Sequence, residues 1–427
     1  MARRESAPSE FDPSRRAFFR TFSRQTVRNA GAVVGAAAEL RRTSLEAARG
    51  LMDPDAVPVP APTKSRVVSP PEIRTTAQET FRSAYRFTGE SVVVLDQREL
   101  PARVLTFECH EPSELASAMR SGAITPGPVL GQVAAYGVAL AAASVADRAE
   151  ESREQVIRAA AGTLRSSRGD VHSIPLALDR MIERYDSLAN VGASGGEIRD
   201  GLISEADTIA TDATQASARI GQLTAALFET RWRGAADRLR ASGPIHILVH
   251  GDGGPLACGT VGMTTAAIQT LTESPGVHVW VTEAAPSMEG TRVTALQLTQ
   301  LDVPHTVIPD SAVSWLFSSR EVSAALLRGD TLAANGEAVA LMGSLSVAVQ
   351  AREAGVDVLV LAPEAALNRD LADATGLRLD LRSAAELGSA NAARLNPVFD
   401  IVPPRLVSAY VSENGVSISP ARGEDPG

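Results

Sequence analysis

Lysine is almost missing from this chain of 427 residues: Lys64, in a proline-rich stretch, is the single one. A Walker-type phosphate loop needs a lysine after its glycines, and a pyridoxal enzyme needs a buried Schiff-base lysine, so both chemistries are excluded. Cysteine is nearly as scarce. Cys109 and Cys258 are the only two, too few for a disulfide framework, and a reducing cytoplasm is the expected home. The six histidines (His110, His172, His246, His250, His278 and His305) form no HExxH pattern and have no CxxC to join. No metal and no cofactor are therefore expected. No apolar run approaches the roughly 20 residues of a membrane helix. A net charge of −9 argues against a nucleic-acid-binding surface over the whole molecule.

Glycine, by contrast, is concentrated where it can matter. Ile245 to His250 is a short apolar, β-prone run, followed by Gly251, Gly253, Gly254, Gly259 and Gly262, and then by a helical stretch from Thr264 to Leu271. Strand, glycine-rich loop and helix make a βα unit whose loop sits at the carboxyl end of the strand, where open α/β sheets bind ligands. Glycine lets backbone approach a ligand closely, and the free amides of a helix start favour an anion. A tight βα turn with no ligand is the other reading. The dinucleotide fingerprint GxGxxG is not met, because Leu256 occupies its last position.

Taken in order, the chain divides into three parts. Residues 1–72 are a helical extension and a linker. Ser14 to Arg20 has the look of a twin-arginine export signal, but Arg24 and Arg28 interrupt the apolar core that should follow. An amphipathic helix whose Phe18, Phe19 and Phe22 dock on the body or on a protein partner is the preferred expectation. Asp53 to Glu72 holds six prolines and reads as an extended linker. Residues 73–235 read as a helix-rich domain with a small β element: a strand at Ser91 to Leu95, a helix beginning at Pro112 to Arg120, helices over Val133 to Ala143, Ser152 to Arg165 and Ile174 to Leu188, and one or two more over Asp200 to Trp232. Residues 236–427 alternate strand candidates (245–250, 277–282, 303–308, 323–327 and 356–361) with helical stretches, the pattern of a Rossmann-like, mainly parallel doubly wound sheet. The fold class is thus α/β.

Six motifs in this order resemble methylthioribose-1-phosphate isomerase and, more broadly, the superfamily that includes ribose-1,5-bisphosphate isomerase and the regulatory subunits of translation initiation factor 2B. They are Leu95 to Pro101 (LDQRELP), Gly131 to Gly137 (GQVAAYG), the glycine loop, Glu289 to Arg292 (EGTR), Gly329-Asp330 with Ala333 to Gly336 (AANG), and Asn396 to Asp400 (NPVFD). The resemblance runs from about residue 74 to 417 and implies aldose–ketose isomerisation of a sugar phosphorylated on its anomeric carbon. Such a reaction needs an acid and a base across C1 and C2, and arginine or amide donors for the phosphate. It also implies a homodimer.

Carried over residue by residue, the resemblance is retained in part. Its aspartate is Asp330, which also closes the strand candidate at 323–327 and could alternatively be a helix N-cap. Its phosphate-holding arginine is Arg168. Gly251 stands in the cysteine position and Asp252 in the asparagine position after it. Thr125 replaces an arginine, Glu289 a glutamine, Ala285 an arginine, and Ala340-Leu341 an Asn-Lys pair. Lost charge-assisted contacts, each worth roughly 1.5–3 kcal/mol, together with an added carboxylate, weaken phosphate binding. The candidate site is therefore Asp330 and Glu289 as acid and base, with Arg168, Gly251, Asp252, Gly253, Gly254 and Asn335 binding a small molecule, a phosphorylated sugar by resemblance. Cys258, seven positions after Gly251, could be activated by a helix N-terminus or be a small buried hydrophobe. The expected protein is a diverged relative that has lost the family reaction and binds a small molecule or a protein. The alternatives are an isomerase on a different sugar phosphate and a translation-factor-like subunit.

Overall fold

The computed structural model describes residues 83–233, 244–272, 276–319, 322–377, 379–388 and 392–418. The extension and linker expected over residues 1–72 lie outside the described residues. Among the described residues, no helix is long and apolar enough to cross a membrane.

The chain first makes a small antiparallel sheet of β1 (Tyr85–Phe87), β2 (Val92–Leu95) and β3 (Thr106–Cys109). Five helices follow: α1 (Pro112–Arg120), α2 (Val129–Ser144), α3 (Glu150–Arg165), α4 (Ser173–Asn190) and α5 (Gly195–Phe228). α2 is the axis of this region. Every residue from Val129 to Ala142 is buried, as befits a helix apolar on all sides. Its Gly131 admits the backbone of Ser173 from α4 and its Gly137 admits Leu164 from α3. The break read at Gly192 to Gly196 is the short α4–α5 loop, where Ser194 and Glu197 close a capping box on α5. What the sequence presented as one or two helices is a single 34-residue helix ending in a π-helical turn, Glu229–Arg233.

The second region is built on a seven-stranded sheet, in which β4 (Ile245–His250) is flanked by β5 (Val277–Thr282) and β7 (Ala324–Arg328). β6 (His305–Ile308) is the edge beyond β5, while β10 (Asp357–Leu361), β13 (Ala409–Ser412) and β14 (Gly415–Ile418) extend beyond β7. All neighbours are parallel except β13 and β14. The protein is thus a mixed α/β structure with a mainly parallel central sheet. One face packs on α5, α6 (Pro255–Cys258), α7 (Met263–Leu271) and α8 (Ala295–Gln300); the other packs on α9 (Val313–Ser319) and α10 (Ser344–Glu353). β7 and β10 are buried along their whole length, which is why Val356 to Leu361 is apolar at every position but Asp357.

A four-stranded sheet stands at the carboxyl end of β7. It consists of β8 (Thr331–Ala333), β9 (Ala338–Leu341), β11 (Leu367–Asn368) and β12 (Phe399–Val402), in the order β11-β8-β9-β12. The sequence did not announce it. The NPVFD motif belongs here, and its Asp400 accepts from the amides of Gly343 (2.7 Å) and Leu345 (3.1 Å), capping α10 from across the sheet.

Candidate functional site

The order of the large sheet reverses at β4. Later strands run off on one side through β5 and β6, and on the other through β7, β10 and β13. The crevice outside the carboxyl ends of β4 and β7 is therefore the topological switch point. Gly251 to Gly254 leave β4 there, and Gly329-Asp330 leave β7.

The glycine loop is closed on itself. Gly251 has φ +82°, a left-handed conformation that favours glycine, and a Cβ there would meet Leu341 Cδ2 at 3.0 Å. Side chains on Gly253 or Gly254 would collide with Thr264 and Gln297. Three of the amides that could receive an anion are already used. Gly254 N donates to Asp252 Oδ1 (2.8 Å), Leu256 N to Gln297 Oε1 (3.2 Å), and Thr264 N to the Gly253 carbonyl (3.0 Å). Asp252 Oδ1 also accepts from Gln297 Nε2 (2.8 Å), so the loop closes on a side chain of its own. Cys258 is fully buried, and burial pushes its thiol up to about 12, so it is the buried hydrophobe and not an activated nucleophile.

The centre of the crevice is a residue the sequence did not single out. Arg328, the last residue of β7, clamps Asp330 through Nε to Oδ1 (2.9 Å) and Nη2 to Oδ2 (3.1 Å), and its Nη1 donates to the backbone carbonyl of Asp252. Burial opposes the charge of this guanidinium, but Asp330 overrides it and holds Arg328 above its usual value. Residues 328 and 330, two apart along an extended chain, point to one side. Their signal was there: a lone arginine ending an apolar strand must find a partner. Asp330 lies between β7 and β8. A strand follows it, so it is not a helix N-cap.

Glu289 arrives from the segment after β5. It begins a π-helical turn, Gly290–Thr294, whose Thr294 donates to the Gly251 carbonyl (2.9 Å). Its buried carboxyl is pushed up chiefly by burial, against the pull of Arg328 and Arg382; Asp252 and Asp330 add to the rise. Asp252 is likewise pushed up by burial. Glu289, Asp330 and the glycine loop thus meet around Arg328.

Arg168 does not act as the main cation of this cluster. It is buried, with Nε 3.5 Å from Asp170 and 3.3 Å from Asp380 and the guanidinium 5.8 Å from the Phe399 ring centre. Its loop abuts the site: Thr331 Oγ1 donates to the Asp170 carbonyl (2.9 Å) and accepts from His172 N (3.0 Å). Asn335 stands apart. It is exposed in the β8–β9 turn, at the far end of β8 from Asp330, where its side chain accepts from Glu337 N (3.0 Å).

The other motifs tie the helical region to the sheet. Gln97 Nε2 donates to the Leu256 carbonyl (3.2 Å), Gln132 Nε2 donates to that of Cys258 (2.8 Å), and Thr125 hydrogen-bonds Gln97. Arg292 Nη1 donates to the carbonyls of Gln97 (2.9 Å) and Arg98 (2.7 Å), so LDQRELP and EGTR hold each other.

With this geometry in hand, the similarities to known proteins are informative. The profile of the initiation factor 2 subunit family matches residues 124–419. The chain belongs to that family. Within it, methylthioribose-1-phosphate isomerase of Stenotrophomonas maltophilia (strain R551-3) is 30% identical over 346 residues, covering 79% of this chain and 92% of the relative. Among solved structures, 5-methylthioribose 1-phosphate isomerase from Pyrococcus horikoshii OT3 superposes with a TM-score of 0.67 at 22% identity, covering 79% of this chain and 93% of that one. Translation initiation factor eIF-2B, subunit delta, from A. fulgidus gives 0.62 at 23%, covering 79% and 96%. At these identities the two structures establish the fold of this family member and nothing finer.

Proposed function

We propose that this chain has left the isomerisation for which its isomerase relatives are named, and that it binds a small molecule at the carboxyl edge of its parallel sheet. The clamp of Arg328 on Asp330 carries the proposal. A residue that exchanges protons with a substrate needs a carboxylate oxygen within reach of it, whereas both oxygens of Asp330 are bonded to a buried guanidinium. Supporting it, position 251 offers no side chain, Leu341 lies against it, and the amides of Gly254, Leu256 and Thr264 serve the protein itself. Purified protein given methylthioribose-1-phosphate should form no ketose; turnover on the order of 1 s⁻¹ or faster, ordinary for an enzyme, overturns the proposal.

A second reading has one observation in its favour. Glu289 is a buried carboxyl pushed up by burial, with Oε2 unbonded and in electrostatic contact with Asp330. Glu289 and Asp330, two carboxyls in one crevice, would be an acid and base pair for isomerising another sugar phosphate. Solvent deuterium entering the carbon-bound positions of a sugar phosphate during incubation with the protein would favour it.

A further inference from the structure

Two carboxyl oxygens in the crevice, Asp252 Oδ2 and Glu289 Oε2, have no hydrogen-bond partner among the described residues. Their residues are 0% and 2% exposed. A buried acceptor left without a donor is costly, and in folded proteins such atoms point to a donor that is absent. The chain's own cation comes close without supplying it. Arg382 Nη1 lies 3.9 Å from Glu289 Oε1, within ion-pair range but beyond hydrogen-bond length, and the guanidinium bonds Glu386 instead at 2.7 and 3.1 Å. Around the crevice, Asp252, Glu289, Asp330 and Glu386 face Arg292, Arg328 and Arg382, while Asp96, also near Arg292, is paired with Arg98. All three guanidiniums are committed, Arg328 to Asp330, Arg292 to the carbonyls of Gln97 and Arg98, and Arg382 to Glu386.

We propose that this crevice takes an organic ammonium ion: a ligand whose primary amine donates to Glu289 and Asp252 from the side that Arg382 now approaches. This rests on the reading of the crevice as a small-molecule site. An ammonium group supplies N–H donors to both unbonded oxygens as short charge-assisted bonds and balances the surplus acid, whereas a phosphate or carboxylate would meet acids. The route in is past Arg382 and Glu386, whose side chains are 13% and 30% exposed.

Isothermal titration and thermal unfolding of the full chain test this, with ethanolamine and glucosamine as amines, ethylene glycol and glucose as neutral counterparts, and inorganic phosphate as the anion. The amines should bind saturably and the others should not. Glu289→Gln should weaken amine binding at least tenfold, the scale of one charge-assisted contact. Arg382→Ala, which removes the competing cation, should strengthen it. Asp252→Asn serves in place of Glu289→Gln should that variant fail to fold. No saturable amine binding, phosphate binding in its place, or amine affinity unchanged by these carboxyl substitutions overturns the proposal. Those outcomes leave the loss of isomerisation standing, since only turnover of methylthioribose-1-phosphate bears on that.

Discussion

Two buried arginines meet carboxylates beside the carboxyl edge of the sheet, and they are held in opposite ways. Arg328 has good hydrogen bonds to both oxygens of Asp330 and reaches the Asp252 carbonyl. Arg168 sits within ion-pair distance of Asp170 and Asp380, yet its Nε and Nη2 make no hydrogen bond, and neither does Asp170 Oδ1. Proximity of charge is therefore not the same as satisfaction. The first pair is a finished piece of architecture. The second keeps donors in reserve.

That contrast can be broken by measurement. Arg328→Ala strands the buried Asp330 carboxylate and the Asp252 carbonyl, and should lower stability by about 3–5 kcal/mol, the usual cost of halving a buried pair. Chemical denaturation gives the number, and replacing both partners by apolar residues should return much of it. Arg168→Ala should cost less, about 1–3 kcal/mol, because no well-formed hydrogen bond is lost. Equal or reversed losses in the two variants would show that the two arginines are held alike.

An effect of similar size is a pH dependence at the Arg168 end. Burial raises the Asp170 carboxyl to about 6 from 3.8; Arg168 opposes the rise and Asp380 adds to it. A carboxyl whose folded pKa lies above its unfolded value binds more protons in the folded state between the two. It therefore adds stability at low pH that is lost as the pH rises through that window. Stability of the native protein should fall by roughly 1–3 kcal/mol between about pH 4 and pH 6, beneath whatever other groups contribute. Asp170→Asn should flatten that part of the profile, and an unchanged slope in this variant would place the titration elsewhere.

How much of this was legible in the sequence depends on what kind of order was being read. β4 and β5 were visible residue for residue, since strands covered on both faces leave short, mostly apolar, β-branched runs. The four-stranded sheet was not. Its strands are two to four residues long and pair across large separations, as Phe399 does with Leu341. The meeting of the glycine loop, Glu289 and Asp330 followed from topology alone, because parallel strands deliver their carboxyl ends to one edge. Arg328 was passed over because a charge at a strand end looks like an exit to solvent. Arg382 lies in an irregular stretch with no period to betray it. Asn335 was included as part of a motif, and a motif does not say which of its residues turns outward.

α5 spans about 50 Å at 1.5 Å per residue. Its early turns pack in the helical core through Ile198, Leu202 and Ala206, and its last ones in the sheet core through Ile220, Ala225 and Phe228. One rigid rod is thus a structural member of both halves, and cutting the chain anywhere along it would strip an apolar face from each. Neither half could be borrowed by another protein, or expressed as a working fragment, without carrying the rod and exposing part of it.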